Sequence, residues 1–197
     1  MNLLHLSKRL LGCYLLLPLL ALLAFAHCGK ESRPPDPERV PVVELAEPEN
    51  ALSEELMVSL GQARNFHHKA DLLLRSGKTE EAAAAVEAVL AIRFPPEAPE
   101  TEDVILDTHA RLAKLRILQG QLEGAMSLVD EGIALSTRDS FFLANLHTVR
   151  GEVFEATANA AEPNSEAAKQ ATIDAISAFD ASIKINEGLL EKLGATQ

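Results

Sequence analysis

Between Phe66 and Arg93 the chain spells out a helical hairpin. Phe66-His67-His68-Lys69-Ala70-Asp71-Leu72-Leu73-Leu74-Arg75 is built from helix formers, Ser76-Gly77-Lys78 interrupts it, and Thr79-Glu80-Glu81-Ala82 restarts a helix that runs to Ile92-Arg93. Glycine just past the end of a helix supplies a left-handed turn, and acids after a hydroxyl suit the positive end of the next helix. One such hairpin cannot bury its apolar face alone, so this stretch demands neighbours of the same kind. Two weaker echoes follow. Gly77 lies five residues before Ala82, and Gly120 lies five before Ala125. The arms close alike, with Ala88-Val89-Leu90-Ala91-Ile92, then Glu131-Gly132-Ile133-Ala134-Leu135, then Ala181-Ser182-Ile183-Lys184-Ile185.

Helix starts divide the rest of the body. Ser53-Glu54-Glu55, Thr79-Glu80-Glu81, Thr101-Glu102-Asp103, Asp139-Ser140 and Asn164-Ser165-Glu166 each place a capping side chain at or near acids. These signals predict six helices near 52–76, 79–93, 102–119, 121–136, 140–160 and 165–192. Apolar spacing agrees at Leu122, Ala125, Met126, Val129 and Ile133 and again at Ile173, Ile176 and Ile183. Pro95-Pro96 and Pro99 end the second helix, and Ala160-Ala161-Glu162-Pro163-Asn164 separates the fifth from the sixth. The β-branched residues fall inside these helical periods, so strands are not expected and the fold class is all-α.

The arrangement resembles the tetratricopeptide repeat, which sets a large residue early in a first helix, a small one four later, a glycine at the turn and small residues where the second helix packs. Phe66-Ala70-Gly77-Ala82 follows that order, as does His109-Ala113-Gly120-Ala125. His147-Gly151-Phe154 with Ala175 and Phe179 follows it across a longer turn. The resemblance covers roughly residues 60–187 and departs in its period, 43 and then 50 residues in place of the family's 34, in its displaced proline and in its shortage of aromatics. It implies about three degenerate hairpins stacked as a short solenoid over 50–193, with an irregular bundle of the same hairpins as the other arrangement open to the chain. It also implies that the first helix of each hairpin lines a concave, partner-binding groove. Carried over by position, that groove comprises Arg64, His67, Asp71 and Arg75, then Asp107, Lys114 and Leu118, then Asn145, Thr148, Glu152 and Glu155. His67 and Asp71 stand where the family's carboxylate-clamp members have Lys and Asn, which argues against chaperone-tail binding.

Ahead of the hairpins lies a different kind of sequence. Lys8-Arg9 precedes an uncharged apolar run from Leu10 to Ala26, the pattern of a secretion signal over 1–27. Phe25-Ala26-His27-Cys28 resembles the lipobox of bacterial lipoproteins, in which Cys28 is lipidated and becomes the first residue. Two other outcomes stay open: cleavage after Ala24-Phe25-Ala26 to release a soluble periplasmic protein, or an uncleaved anchor. Residues 28–49 carry Pro34, Pro35, Pro37, Pro41 and Pro48 and read as a disordered tether, long enough at about 3 Å per residue to span about 60 Å. Gly29 after Cys28 lacks the aspartate associated with inner-membrane retention, which points by resemblance to the outer membrane, facing the periplasm.

Charge and composition remove several functions. The net charge is −11, and because Lys8 and Arg9 are the only charged residues before Cys28, the remainder carries −13 and repels a phosphate backbone. Nucleic acid is therefore not expected as a partner. Cys13 and Cys28 are the only cysteines, so the body holds neither a disulfide nor a thiolate metal site. His67, His68, His109 and His147 offer no i,i+4 pair, and Ser76-Gly77-Lys78-Thr79 lacks the first glycine of a phosphate loop. No catalytic set, cofactor or metal is expected. The expectation is an envelope lipoprotein whose repeats bind another envelope or periplasmic protein as an assembly or accessory factor, with a ligand- or metal-responsive periplasmic protein and a self-associating structural element as the alternatives.

Overall fold

The computed structural model describes residues 53–96 and 98–195. The expected signal sequence over 1–27, Cys28 and the Pro-rich segment lie outside the described residues. Among these residues there are six α-helices and no strand: α1 Glu54–Arg75, α2 Thr79–Glu87 continued by a 3₁₀ turn at Ala88–Ala91, α3 Pro99–Leu118, α4 Leu122–Leu135, α5 Phe141–Ala160 and α6 Glu166–Gly194. They pair as hairpins, α1 with α2, α3 with α4, and α5 with α6. Each second arm also packs on the helix that follows it, α2 on α3 and α4 on α5.

The first two hairpin turns are chemical copies. Gly77 and Gly120 both take φ 73°, and both turns are closed by the same two backbone bonds. Lys78 N donates to Leu73 O at 2.9 Å and Gly77 N to Leu74 O at 3.0 Å. Gln121 N donates to Arg116 O at 2.8 Å and Gly120 N to Ile117 O at 2.9 Å. This double closure leaves few orphan carbonyls and turns the chain straight back on itself. The third turn is longer, and Asn164 supplies the left-handed residue at φ 63°, a conformation asparagine tolerates better than most side chains.

Three of the five expected serine and threonine caps behave as expected. Ser53, Ser140 and Ser165 accept from the backbone N–H of Leu56, Leu143 and Ala168 respectively. Two starts differ. Lys78 precedes α2 in place of Thr79, without a side-chain cap. The third helix starts at Pro99, not near 102, because proline is already set for the first helical position. Thr101 then lies inside the helix and donates its hydroxyl to Pro95 O at 2.9 Å, while Ser59 donates to Arg93 O at 2.9 Å. These two bonds pin the proline-rich connection to α3 and α1. The second helix, expected to reach 93, tightens to 3₁₀ from Ala88.

Two apolar clusters share α3. Ala70, Ala82, Ala83, Ala85 and Val86 meet Leu112 and Leu115 on one side of it. On the other, Leu106, Ala110 and Ala113 meet Ala125 and Val129 of α4 and Leu146, Val149 and Val153 of α5. Because α3 is covered from two sides it buries seven residues, including Thr108 and His109. Small residues set the helix spacing. A Cβ on Gly132 would come within 2.9 Å of Leu146, and one on Gly151 within 2.6 Å of the Phe179 ring. No helix among the described residues is long and apolar enough to cross a membrane.

Candidate functional site

Unlike α3 and α5, which pack directly, α1 and α3 are joined mainly through side chains, and a groove runs between them. It has two compartments. One, of about 310 Å³, is lined by Leu60, Ala63, Arg64, His67 and His68 of α1 and Val104 and Asp107 of α3, and is closed at one end by Phe142 of α5. The other, of about 270 Å³, has a floor of Ala70, Leu74, Val86 and Leu115, with Leu118 and Lys114 at its rim. Asp71 and Arg111 line both compartments and divide them. Arg111 Nη1 reaches Asp71 Oδ1 at 3.5 Å across the groove, and Arg111 Nε donates to Asp107 Oδ2 at 3.0 Å on its own helix.

Of the residues expected in a groove, Arg64, His67, Asp71 and Asp107 gather in the first compartment and Lys114 and Leu118 in the second. Leu118 is 66% exposed, an apolar side chain held in water at the groove's edge. Glu152 joins them indirectly, accepting from Lys114 Nζ at 2.9 Å and tying α5 to α3. Arg75 stands exposed in the last turn of α1, where its charge faces the negative end of the helix. Asn145 is half-buried and Glu155 exposed on α5. Thr148 turns the other way. Its hydroxyl lies 2.9 Å from Ser182 Oγ on α6 and 3.3 Å from Ala144 O, inside the third hairpin, so it takes no part in the groove.

Arg111, Leu74 and Phe142 are not among the groove residues expected from the sequence, and His68 is weighed there only with the histidines that fail to make a metal site. For Arg111 a signal existed: it stands four residues after Asp107, the spacing of a same-face ion pair on a helix. His67 is half-buried at the groove wall and its Nδ1 has no hydrogen-bond partner. Burial lowers its pKa below the ordinary 6.5, the Arg111 guanidinium lowers it further, and Asp107 and Asp71 oppose both. The ring is therefore neutral at neutral pH and presents a polar edge within an apolar wall. His109 is fully inside the core and its Nδ1 lies 2.9 Å from Ile105 O. A carbonyl only accepts, so that nitrogen carries the proton, and His109 is a packing residue. Among the described residues, no three of His, Cys, Asp and Glu converge as a metal site would require.

A larger cavity, about 440 Å³, lies elsewhere, between the start of α3 and the end of α4. Its polar groups satisfy one another: Glu102 accepts from Thr137 Oγ1 at 2.5 Å and Thr137 N at 3.2 Å, and Arg138 bridges to Asp103 at 2.6 Å. That network ties the two ends of the second hairpin together and leaves little to offer a ligand. The α1–α3 groove is the better site, because it combines apolar floor, exposed apolar rim and charged partition.

No family model matches the chain, and neither a curated protein nor a solved structure matches it.

Proposed function

We propose that this is an envelope lipoprotein with tetratricopeptide-like hairpins, whose α1–α3 groove holds a segment of a partner protein. The observation that carries the reading is the groove itself: an almost wholly apolar compartment beside a charged one, the two divided by Asp71 and Arg111. A segment with an apolar anchor for the Leu74–Leu115 floor and a polar neighbour at Asp71 and Arg111 would match it. The role is binding and not catalysis. The secretion signal, a lipidated Cys28 and a proline-rich spacer would carry the hairpins away from the bilayer, and the outer membrane facing the periplasm is the location that fits Gly29.

The test is photo-crosslinking in living cells. A crosslinking amino acid replaces Leu118 at the rim in one version and exposed Ala84 on α2 in another. The expected result is one recurrent protein captured from position 118 and not from 84, and lost when Leu74→Glu charges the floor. Equal capture from both positions, or capture that ignores Leu74→Glu, refutes the groove as the binding surface.

A further inference from the structure

Charge is unevenly spread along the body, and the unevenness follows the repeat. Residues 64–78 and 107–121 lie 43 residues apart and together hold seven Lys and Arg against two acids, Asp71 and Asp107. The rest of 53–197 holds six Lys and Arg against twenty-one Asp and Glu. The first block runs from the middle of α1 through its turn, and the second does the same from α3. The pattern stops at α5, whose second half sets Arg150 against Glu152 and Glu155. The two helices that wall the groove are thus the cationic part of an acidic body. Cations in the last turn of a helix suit its dipole, which accounts for Arg75 and Arg116. Arg64 and Arg111 stand more than one turn inside their helices and need another account.

Which of these cations are free decides what the groove can take. Arg111 is held by Asp71 and Asp107, and Lys114 by Glu152. Arg64 and Arg75 are exposed and have no carboxylate partner among the described residues. Glu80 and Glu81 start α2 past the turn, and Glu81 is held by Lys78. Arg64 lines the first compartment. Arg75 follows Leu74 of the second floor and stands one turn beyond Asp71, on the same side of α1. Eleven residues separate the two arginines, three turns or about 17 Å of helix. One unpaired guanidinium therefore lies toward each end of the groove, and each is a fork shaped for a carboxylate. The middle, neutralised around Arg111, has no free cation.

We infer that the groove selects an acidic partner segment, with carboxylates against Arg64 and Arg75 and a large apolar side chain between them on the Leu74–Leu115 floor. This rests on the α1–α3 groove being the binding surface. The spacing of about 17 Å corresponds to five residues of extended chain or three turns of helix. Charge complementarity chooses this occupant. Acid in excess over the rest of the body turns a like-charged segment away, so encounter is steered to the groove. A basic segment would be drawn to that same excess and away from the two arginines. An anionic membrane surface is too broad to meet the groove without meeting the acids around it.

Residues Glu47–Gln197 form a compact unit by themselves and serve as bait for a displayed library of twelve-residue peptides at low salt. The enriched peptides should be acidic and carry a large apolar residue between acids. The most enriched one, labelled with fluorescein, should bind Arg64→Glu/Arg75→Glu at least about tenfold more weakly than the parent, and raising the salt to about 0.3 M should weaken it as well. Lys69→Glu, a charge reversal on the far side of α1, should change binding less than about twofold. Leu74→Gln, which removes the apolar floor without adding charge, should weaken it at least about tenfold. Enriched peptides that are neutral or basic, or that ignore the two arginines while still needing Leu74, overturn the acidic segment and leave the groove as the binding surface. Peptides that bind Leu74→Gln as well as the parent, or no enrichment at all, remove the groove and this inference with it. A peptide bound by 47–197 and refused by 29–197 overturns the partner too, because residues 29–46 are then the occupant. A bait that dimerises through Arg64 and Arg75 does the same in favour of a second copy.

Discussion

Replacing Gly151 with alanine adds one methyl group at the tightest point of the third hairpin. Gly151 is buried on α5, and a Cβ there would lie 2.6, 2.7 and 2.8 Å from three atoms of the Phe179 ring on α6. Carbon atoms rest at about 3.5–4.0 Å, so the ring or the helix must move by nearly 1 Å. Forcing an extra methyl into a packed seam costs about 1–3 kcal/mol. Alanine returns about 1 kcal/mol through its better helix propensity. The balance is a loss of about 1 kcal/mol, or a fall of about 2–4 °C in Tm for a unit of this size. Thermal and urea unfolding followed by circular dichroism measure it directly. The decisive comparison is a cycle with Phe179→Leu, which removes the ring. In that background Gly151→Ala should be neutral or stabilising, giving a coupling of about 1–2 kcal/mol between the two sites. A Gly151→Ala variant more stable than the parent, or effects that simply add, would show that α5 and α6 are not set by this contact.

Other outcomes follow from the same packing. Leu146 is completely buried where α5 meets α3 and α4, so Leu146→Ala should cost about 3 kcal/mol, read as a lower urea midpoint with an unchanged slope. The Ser140 hydroxyl caps α5 by accepting from Leu143 N at 3.1 Å in a buried setting, and Ser140→Ala should cost about 1 kcal/mol by thermal melting. Folding lowers the pKa of His67 below 6.5, chiefly by burial, so the unfolded chain takes up that proton first as pH falls. Its contribution is present above about 6.5 and is lost as pH drops through the unfolded value toward the lower folded one. Urea titrations at pH 7.5 and 5.5 should show His67→Gln losing less stability than the parent. The Lys114–Glu152 pair is only partly screened from water, and its double-mutant cycle should give less than about 1 kcal/mol.

The hairpins were legible because their punctuation is local. Gly77 and Gly120 announce left-handed turns whatever surrounds them, and Ser53, Ser140 and Ser165 cap from within one helical turn. Ends decided by distant partners were not. Thr101-Glu102-Asp103 has the composition of a helix start, yet Thr101 spends its hydroxyl on Pro95 O, and Glu102 reaches Thr137, 35 residues on. Thr148 shows the same limit at the site. Position along the repeat put it on the concave helix, but only the fold reveals that Ser182 claims its hydroxyl. Arg111, the partition of the groove, is visible in the sequence as the helical partner of Asp107, while its second partner Asp71 depends on how α1 and α3 are set.

How the groove arises can be read by setting the first two hairpins side by side. Gly132 of α4 lies against both His109 of α3 and Leu146 of α5, and a Cβ there would come within 3.0 Å of each. Only the bare glycine lets α5 seat this closely. At the corresponding place 43 residues earlier stands Val89, buried in the 3₁₀ turn that ends the shortened second arm. A branched side chain there fills the space that glycine leaves open, and α1 and α3 are left to meet through Asp71 and Arg111 instead of through direct packing. The residue at this place, glycine in one hairpin and a buried valine in the other, is thus one difference between the tight junction and the open one. The expectation is specific: Gly132→Ala should loosen the seat of α5, exposing Leu146 and raising amide hydrogen exchange in α5 while leaving α1 and α2 as they are. Uniform protection across all six helices would mean that the junctions are set by something other than the size of this residue.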